Sequence, residues 1–396
     1  EAEGVGGGVD GLGQRGDLGV RATGALSGKI RRALDSTVLD DAVTTQDAVM
    51  QLVSAMRCVR RLVREAKTVT LAAHDYDNDP GKPVCAWDDP DGIDQLITAL
   101  VTDARTVLDA VAGIELDEAQ ADAVGLLALV AGQDVEPGDG EGTWRIIPRT
   151  MPGRIVSTVD PESRHIHKSV SSYRDGYKAH VAIEPDSGLV TACELTPGDV
   201  TDGAAAIALL EDEQPGLEVY ADSAYGSGDT RVAIRRRGHD AVIKPIPLRT
   251  PIPGGFTRDD FVIDHHARTA TCPAGHTVSI TAKGNADFGS RCAGCALRQR
   301  CTRAKDGRHL TISTHDDELV YGRAAWRDPV LQDHYRRHRP MVERTIAWLV
   351  ARGHRKVRYR GTARNRLWLA HRAAAMNLQR LLNLGLTRDE LGWVIG

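Results

Sequence analysis

No uninterrupted apolar run in this chain approaches the length needed to span a membrane, and no charged, apolar, small-residue sequence marks a secretory signal. Both absences predict a cytoplasmic protein. Net positive charge is also lacking: Lys and Arg number 50 against 54 Asp and Glu, a balance of -4 that does not by itself suggest a nucleic-acid binder. Cysteine is sparse and odd in number, with seven in all. Cys58, Cys85 and Cys193 are scattered, which fits a reducing compartment better than a disulfide framework. The first residue is not Met, and Glu1 to Gly28 is Gly-rich without sustained periodicity, so it reads as disordered or as the edge of a longer protein.

At 396 residues, 41% hydrophobic and 26% charged, the chain has room for more than one domain and a sizeable core. Its charge is unevenly spread. From Val111 to Trp144 there are eight acids and no Lys or Arg, whereas His334 to Arg366 holds eleven Lys or Arg against Glu343 alone. A solvated helix face usually carries both signs, so the second segment is the footprint of phosphate-backbone contacts.

Apolar periodicity predicts helices over Thr44 to Lys67, with Thr44 and Asp47 as a capping box, then Ile93 to Val111 and Asp117 to Val130. PGDGEG from Pro137 to Gly142 reads as a flexible loop, and Ile155 to Val159 as a strand leading into Asp160. Tyr177 to Ile183 and Leu189 to Leu195 alternate as strands about a Pro185-Asp186-Ser187-Gly188 turn, followed by a helix over Thr201 to Leu210. Around Asp35 the pattern does not separate strand from helix.

Leu217 to Ala221 alternates as a strand, so Asp222 falls at its carboxyl end before the turn residues Ser223, Gly226 and Gly228. Asp229 is placed to cap a helix through Arg237, Gly238 to end it, and Ala241 to Ile243 to resume a strand, which the spacing predicts to be parallel to the first. Ligands of open α/β sheets bind outside the strands' carboxyl ends. Asp222 is therefore either a solvated turn aspartate or a metal ligand. The order of hairpin, helix, strand, helix, strand is that of a ribonuclease-H-like mixed sheet.

Cys272-Pro-Ala-Gly-His276, Cys292-Ala-Gly-Cys295 and Cys301 form two knuckles about twenty residues apart, the spacing of a zinc ribbon. The first knuckle has one Cys, so a fourth zinc ligand must be His276 or Cys301. A group of reduced cysteines without metal fits the same residues.

Arg339 and Pro340 open a helix on which Arg339 and Glu343, four apart, share a face. Glu343 is either an ion-pair partner of Arg339 or a metal ligand beside a phosphate-binding surface. In-line displacement at a phosphodiester is stabilised by two Mg²⁺ ions about 4 Å apart, and hard cations want several carboxylates. Acids gathered without metal repel one another.

Taken together, ALDST at Asp35, DGYKAHVAIEPDSGLV, LTPGDVTD, VYADSAYGS at Asp222, CPAG with CAGC, and RPMVERTIAWLVARGHRKVRYRG at Glu343 resemble bacterial insertion-sequence transposases of the DDE type. The likeness runs from Ser27 to Leu386. It implies a ribonuclease-H-like core on which Asp35, Asp222 and Glu343 bind Mg²⁺ or Mn²⁺, with Asp160 of STVDPESR as the alternative first acid. It further implies double-stranded DNA partners, both terminal repeats and target, and a homodimer in the synaptic complex. Arg339, Arg352, Arg355, Lys356, Arg358 and Arg360 become the phosphate contacts. Val350 stands where relatives carry a Lys and Tyr335 is one residue off the expected Tyr, leaving Arg352 or Arg355 to substitute.

The expected division is 1–28 a disordered or truncated remnant, 29–43 the first core strand, 44–145 a helical insertion and 146–250 the catalytic core. A zinc-ribbon-like insertion over 251–315, a catalytic helix with its basic segment over 316–386, and a tail over 387–396 complete it. The expected activity is metal-dependent cleavage of transposon ends and strand transfer. Alternatives are a metal-dependent nuclease of the same fold, and a truncated, inactive remnant that only binds DNA.

Overall fold

The computed structural model describes residues 20, 23–148, 151–169, 172–388, 390 and 392–395. Of the segment expected to be a disordered or truncated remnant, residues 1–19, 21 and 22 lie outside the described residues.

The first core element is a strand, β1 (Arg31–Asp40). Ala33 and Leu34 are adjacent yet both fully buried. A strand covered on both faces loses the alternation that marks a half-buried one, which is why its sequence was ambiguous. Helices α1 (Ala48–Leu62), α2 (Arg64–Thr68), α3 (Pro90–Ala110) and α4 (Glu118–Gln133) follow. They enclose a core of their own around Leu52, Met56, Ile97, Leu100 and Leu127. The long first helix expected from Thr44 starts later, because the Asp47 side chain caps it on the Met50 N–H. It also breaks at Val63, whose backbone is extended.

The supposed flexible loop is the turn of a small hairpin, β2 (Val135–Pro137) with β3 (Trp144–Ile146). Ile155 to Val159 forms no strand, only a bridge from Ile155 to Arg164. Its backbone is taken instead by glutamines. Gln51 Nε2 donates to the Ile155 carbonyl at 2.9 Å, Ile155 N to Gln133 Oε1 at 3.0 Å, and Thr158 N to Gln46 Oε1 at 2.8 Å.

Strands β4 (Arg164–Ser169), β5 (Ser172–Glu184) and β6 (Leu189–Pro197) lead into α5 (Asp202–Leu209) and β7 (Glu218–Ala221). Then come α6 (Gly228–Arg236) and β8 (Asp240–Ile243). Gly188 closes the β5–β6 turn at φ +73°. Ser227, not Asp229, caps α6, accepting from Thr230 N. The sheet runs β4-β5-β1-β7-β8, with β6 also paired to β5. β1 is antiparallel to β5, β5 to β6, and β1, β7 and β8 are mutually parallel.

The cysteine-rich stretch builds two small sheets from β9 (Val262–Asp264), β10 (Thr269–Thr271), β11 (Thr277–Ser279), β12 (Asn285–Asp287) and, after α7 (Arg298–Cys301), β13 (His309–Thr311). Phe261, Phe288 and Leu310 fill its core. Helices α8 (Asp316–Ala325), α9 (Pro329–His338), α10 (Pro340–Leu349) and α11 (Thr362–Asn383) follow, and the tail pairs β14 (Leu386–Arg388) with β15 (Trp393–Ile395). Val342, Ile346, Leu349, Leu369 and Ala373 from α10 and α11 bury the face of the sheet that presents Ala33, Val181 and Tyr220. The result is a mixed α/β architecture compatible with a DDE transposase fold. No helix among the described residues is long and apolar enough to cross a membrane.

Candidate active site

Ala33 on β1 pairs with Tyr220 on the parallel β7. Asp35 and Asp222 each lie two residues further on, so they stand side by side just beyond the paired stretch, Asp35 midway along β1 and Asp222 past the end of β7. Side chains two apart share a face, and that face is the one α10 covers. Asp222 has just left its strand, and its carboxylate caps a single turn by accepting from Ala224 N at 2.9 Å. Glu343 sits in the first turn of α10.

Arg339 lies at the centre, at the junction of α9 and α10. Its Nη2 is 3.0 Å from Asp35 Oδ2 and 3.9 Å from Asp222 Oδ2, and its Nη1 is 3.5 Å from Glu343 Oε1. Three acids separated by up to 308 positions thus converge on one guanidinium. Burial pushes the Asp35 carboxyl above its ordinary range; the charge of Arg339 opposes that rise and Asp222 adds to it. Beneath them the fully buried Tyr225 hydroxyl has no hydrogen-bond partner among the described residues. Burial, with Asp202, Asp35 and Asp222 nearby, holds it well above the usual phenol range.

Among the described residues no three Asp, Glu, His or Cys side chains stand as a ready-made metal-ligand group. At the acid cluster the reason is visible: the carboxylates meet Arg339 rather than one another. As a donor set, three hard carboxylates around one cationic group fit a divalent ion.

Asp160 lies apart from this cluster. It is buried, and its Oδ1 accepts from Tyr177 Oη at 2.7 Å and Gly361 N at 3.2 Å, tying β5 to the loop before α11. The basic residues divide as well. Arg352, Lys356, Arg358 and Arg360 are exposed, whereas Arg355 Nη1 donates to the Val38 carbonyl at 3.0 Å and to Thr37 Oγ1 at 3.3 Å. Val357 N donates to the Asp40 carbonyl at 2.8 Å and Asp40 N to the Arg355 carbonyl at 2.8 Å, so the segment is fastened to the end of β1.

Cys272, Cys292, Cys295, Cys301 and His276 line one cavity of about 20 Å³, room for a single small occupant. Cys292 and Cys301 are buried, and burial raises the Cys301 thiol, with the three other thiols adding to the rise. Cys292 Sγ accepts from Arg308 N at 3.4 Å.

Residues missed in the sequence are those that hold α10 and α11 in place. Asn377, buried on α11, exchanges two hydrogen bonds of 2.8 Å with the backbone of Val190 on β6. Asn365 accepts from Tyr359 N at 3.1 Å and donates to the carbonyls of Tyr359 and Gly361 at 2.7 and 2.9 Å. Arg372 donates to the Leu349 and Trp348 carbonyls that end α10, at 2.7 and 3.0 Å. The signal was present: Asn365, Leu369, Ala373, Asn377 and Leu381 recur every four residues, so two amides lie in a buried stripe.

Residues 271–382 match the family model described as a transposase DDE domain. No curated protein matches the chain in sequence. Among solved structures, piggyBac transposase in a synaptic complex with hairpin DNA is similar at 10% identity and a TM-score of 0.29, over 88% of this chain and 69% of that one. So low a score carries no argument. The family match spans α10 and its acid, Glu343, together with the cysteine cluster and the basic segment. Over residues 271–382, then, the chain is similar to transposase DDE domains.

Proposed function

We propose that the protein is a DNA transposase that cleaves transposon ends and joins the freed 3′-hydroxyls to target DNA, on a ribonuclease-H-like core. The observation that carries this reading is the convergence of Asp35, midway along β1, Asp222, just past the end of the parallel β7, and Glu343 on Arg339. The family match over residues 271–382 supports it.

In this reading Asp35, Asp222 and Glu343 hold Mg²⁺ or Mn²⁺. Bound there, divalent cations activate the attacking oxygen and stabilise the leaving oxygen of an in-line displacement. Asp35 is the deepest of the three, at 16% side-chain exposure against 43% for Asp222 and 65% for Glu343. It anchors the cluster from the sheet, while Glu343 reaches from the helix facing solvent. Arg352, Lys356, Arg358 and Arg360 orient the duplex by its phosphates, on a segment fastened to the strand that carries Asp35. Partner DNA would be the terminal repeats and the target, with two copies of the chain bridging the ends. A zinc ion on Cys272, Cys292, Cys295 and Cys301 belongs to the same reading, supported by the shared cavity.

The test is Mg²⁺-dependent cleavage and joining of DNA carrying the element's flanking ends. Loss of both activities in Asp222→Ala and in Glu343→Ala is the expected result. Cleavage without joined product would make the protein a nuclease. DNA binding with no cleavage by the parent, unaltered in Asp222→Ala, would leave only a DNA-binding role.

A further inference from the structure

A cation held for structural reasons alone normally has its donors satisfied. A guanidinium has five N–H donors in a rigid fork suited to two-point contact with a carboxylate. Arg339 does not meet that description. Its side chain is 5% exposed, yet Nε and Nη1 are buried without a hydrogen-bond partner among the described residues. One oxygen stands at hydrogen-bond distance, Asp35 Oδ2 at 3.0 Å; the other two carboxylates lie at 3.5 and 3.9 Å. Hydrogen-bond geometry does not explain that position. The summed attraction of three carboxylates does, since their mutual repulsion needs a positive charge among them.

We propose that Arg339 is a charge placeholder: its guanidinium occupies the cation position of the acid cluster in the metal-free protein, and must withdraw when a divalent ion binds. The inference rests on the metal reading of Asp35, Asp222 and Glu343 given above. The backbone of Arg339 is fixed, helical at φ -65° and ψ -39° with its N–H bonded to the Tyr335 carbonyl at 3.0 Å. Withdrawal is therefore a side-chain movement. The exit lies past Asp222 and Glu343, the two more exposed acids. Once out, the unpartnered Nε and Nη1 are free to take a phosphate oxygen, so metal loading would convert Arg339 from a partner of the acids to a partner of DNA. Arg339 acts here as a positioning residue.

The consequence is competition. Arginine and the divalent ion cannot occupy the centre together, so the parent's metal affinity is lowered by the work of displacing the guanidinium. The experiment is Mn²⁺ binding to the whole, DNA-free chain, followed by the electron-spin resonance of free Mn²⁺, for the parent, Arg339→Gln, Arg339→Lys and Asp222→Asn. The expected results are binding by the parent, its loss in Asp222→Asn, and at least tenfold tighter binding in Arg339→Gln. Lysine keeps the charge but cannot span three carboxylates, so Arg339→Lys should fall between parent and Arg339→Gln. Near-ultraviolet circular dichroism establishes that each variant is folded, and the lysine variant carries the comparison if the glutamine variant does not fold.

Unchanged or weaker Mn²⁺ binding in a folded Arg339 variant, with the parent's binding still lost in Asp222→Asn, would overturn the placeholder and leave the metal site standing. Absence of Mn²⁺ binding in the parent and the Arg339 variants alike would overturn both.

Discussion

Asp35 and Asp160 are separated by opposite consequences of their removal. Asp160→Ala takes the acceptor from two donors, the hydroxyl of fully buried Tyr177 and the N–H of Gly361. A buried donor left unpaired costs about 1–3 kcal/mol. Gly361 is partly exposed, so water can replace its partner, which leaves Tyr177 as the main loss. The expected destabilisation is about 2–3 kcal/mol, with Mn²⁺ binding retained. Asp35→Asn should behave in reverse. Burial raises the Asp35 carboxyl, so its ionised form weakens the fold at neutral pH. A neutral amide removes that penalty while forfeiting the ion pair with Arg339, and the two effects oppose each other. The unfolding free energy should change by no more than about 1 kcal/mol while Mn²⁺ binding disappears. Urea unfolding and Mn²⁺ titration of the two variants decide the matter. An Asp160→Ala protein with an unchanged midpoint and no Mn²⁺ binding would refute the assignment of the first acid to β1.

His180 is fully buried on β5, with Thr196 Oγ1 2.9 Å from its Nε2 and Asp202 and Lys178 nearby; burial pushes it down to about 4. The unfolded chain therefore binds the extra proton first, and stability should fall as pH drops from about 6.5 towards 4, by on the order of 3 kcal/mol at most. Urea midpoints across that window should flatten in His180→Gln; an identical slope in the variant would remove His180 as the cause. Asn377→Leu orphans the Val190 N–H and carbonyl and should cost roughly 2–4 kcal/mol, which an unaltered urea midpoint would contradict. Arg358→Ala and Arg360→Ala should each weaken duplex binding uniformly across sequences and lower the salt slope by about 0.9. Slopes equal to the parent's would exclude both from the phosphate surface. Metal analysis of the purified chain should return one zinc, lost in Cys292→Ser together with stability; a zinc-free parent would rule out the zinc site.

The parts of the site that were legible in sequence are those whose neighbours announce them locally. Asp222 follows an alternating run and precedes turn glycines, so its place at a strand end needed no tertiary knowledge. Glu343 was marked by Pro340 at a helix start and by its spacing from Arg339. Asp35 was not legible from periodicity, because β1 is buried on both faces; only its likeness to a known motif singled it out. Asp160 shows the opposite failure. Its surroundings read as a strand ending in an acid, but Gln46 before α1, Gln51 on α1 and Gln133 on α4 take the backbone of that stretch. Side-chain to backbone pairing of this kind leaves no periodic trace. Arg339 was legible as a partner of Glu343, four residues away, but not as a partner of Asp35, since that contact exists only once β1 and α10 are packed together.

That packing tolerates the helices α1 to α4 between β1 and β5 because the two parts bury separate surfaces. Leu52, Met56, Ile97, Leu100 and Leu127 close on one another and share no member with the core around Ala33, Val181, Tyr220 and Val342. The helices are joined to the rest chiefly through polar tethers, Gln46, Gln51 and Gln133 on the backbone near Ile155. Each tether spans a short distance and none reaches β1 or β7, so the register that places Asp35 beside Asp222 depends on the sheet alone. Glu343 joins them through α10, whose own position is set by Val342, Ile346 and Leu349 on the sheet and by Arg372 on its last carbonyls. The acid cluster thus draws its geometry from a compact set of strands and two helices, and the sequence interposed between its members is free to differ in length without moving the acids.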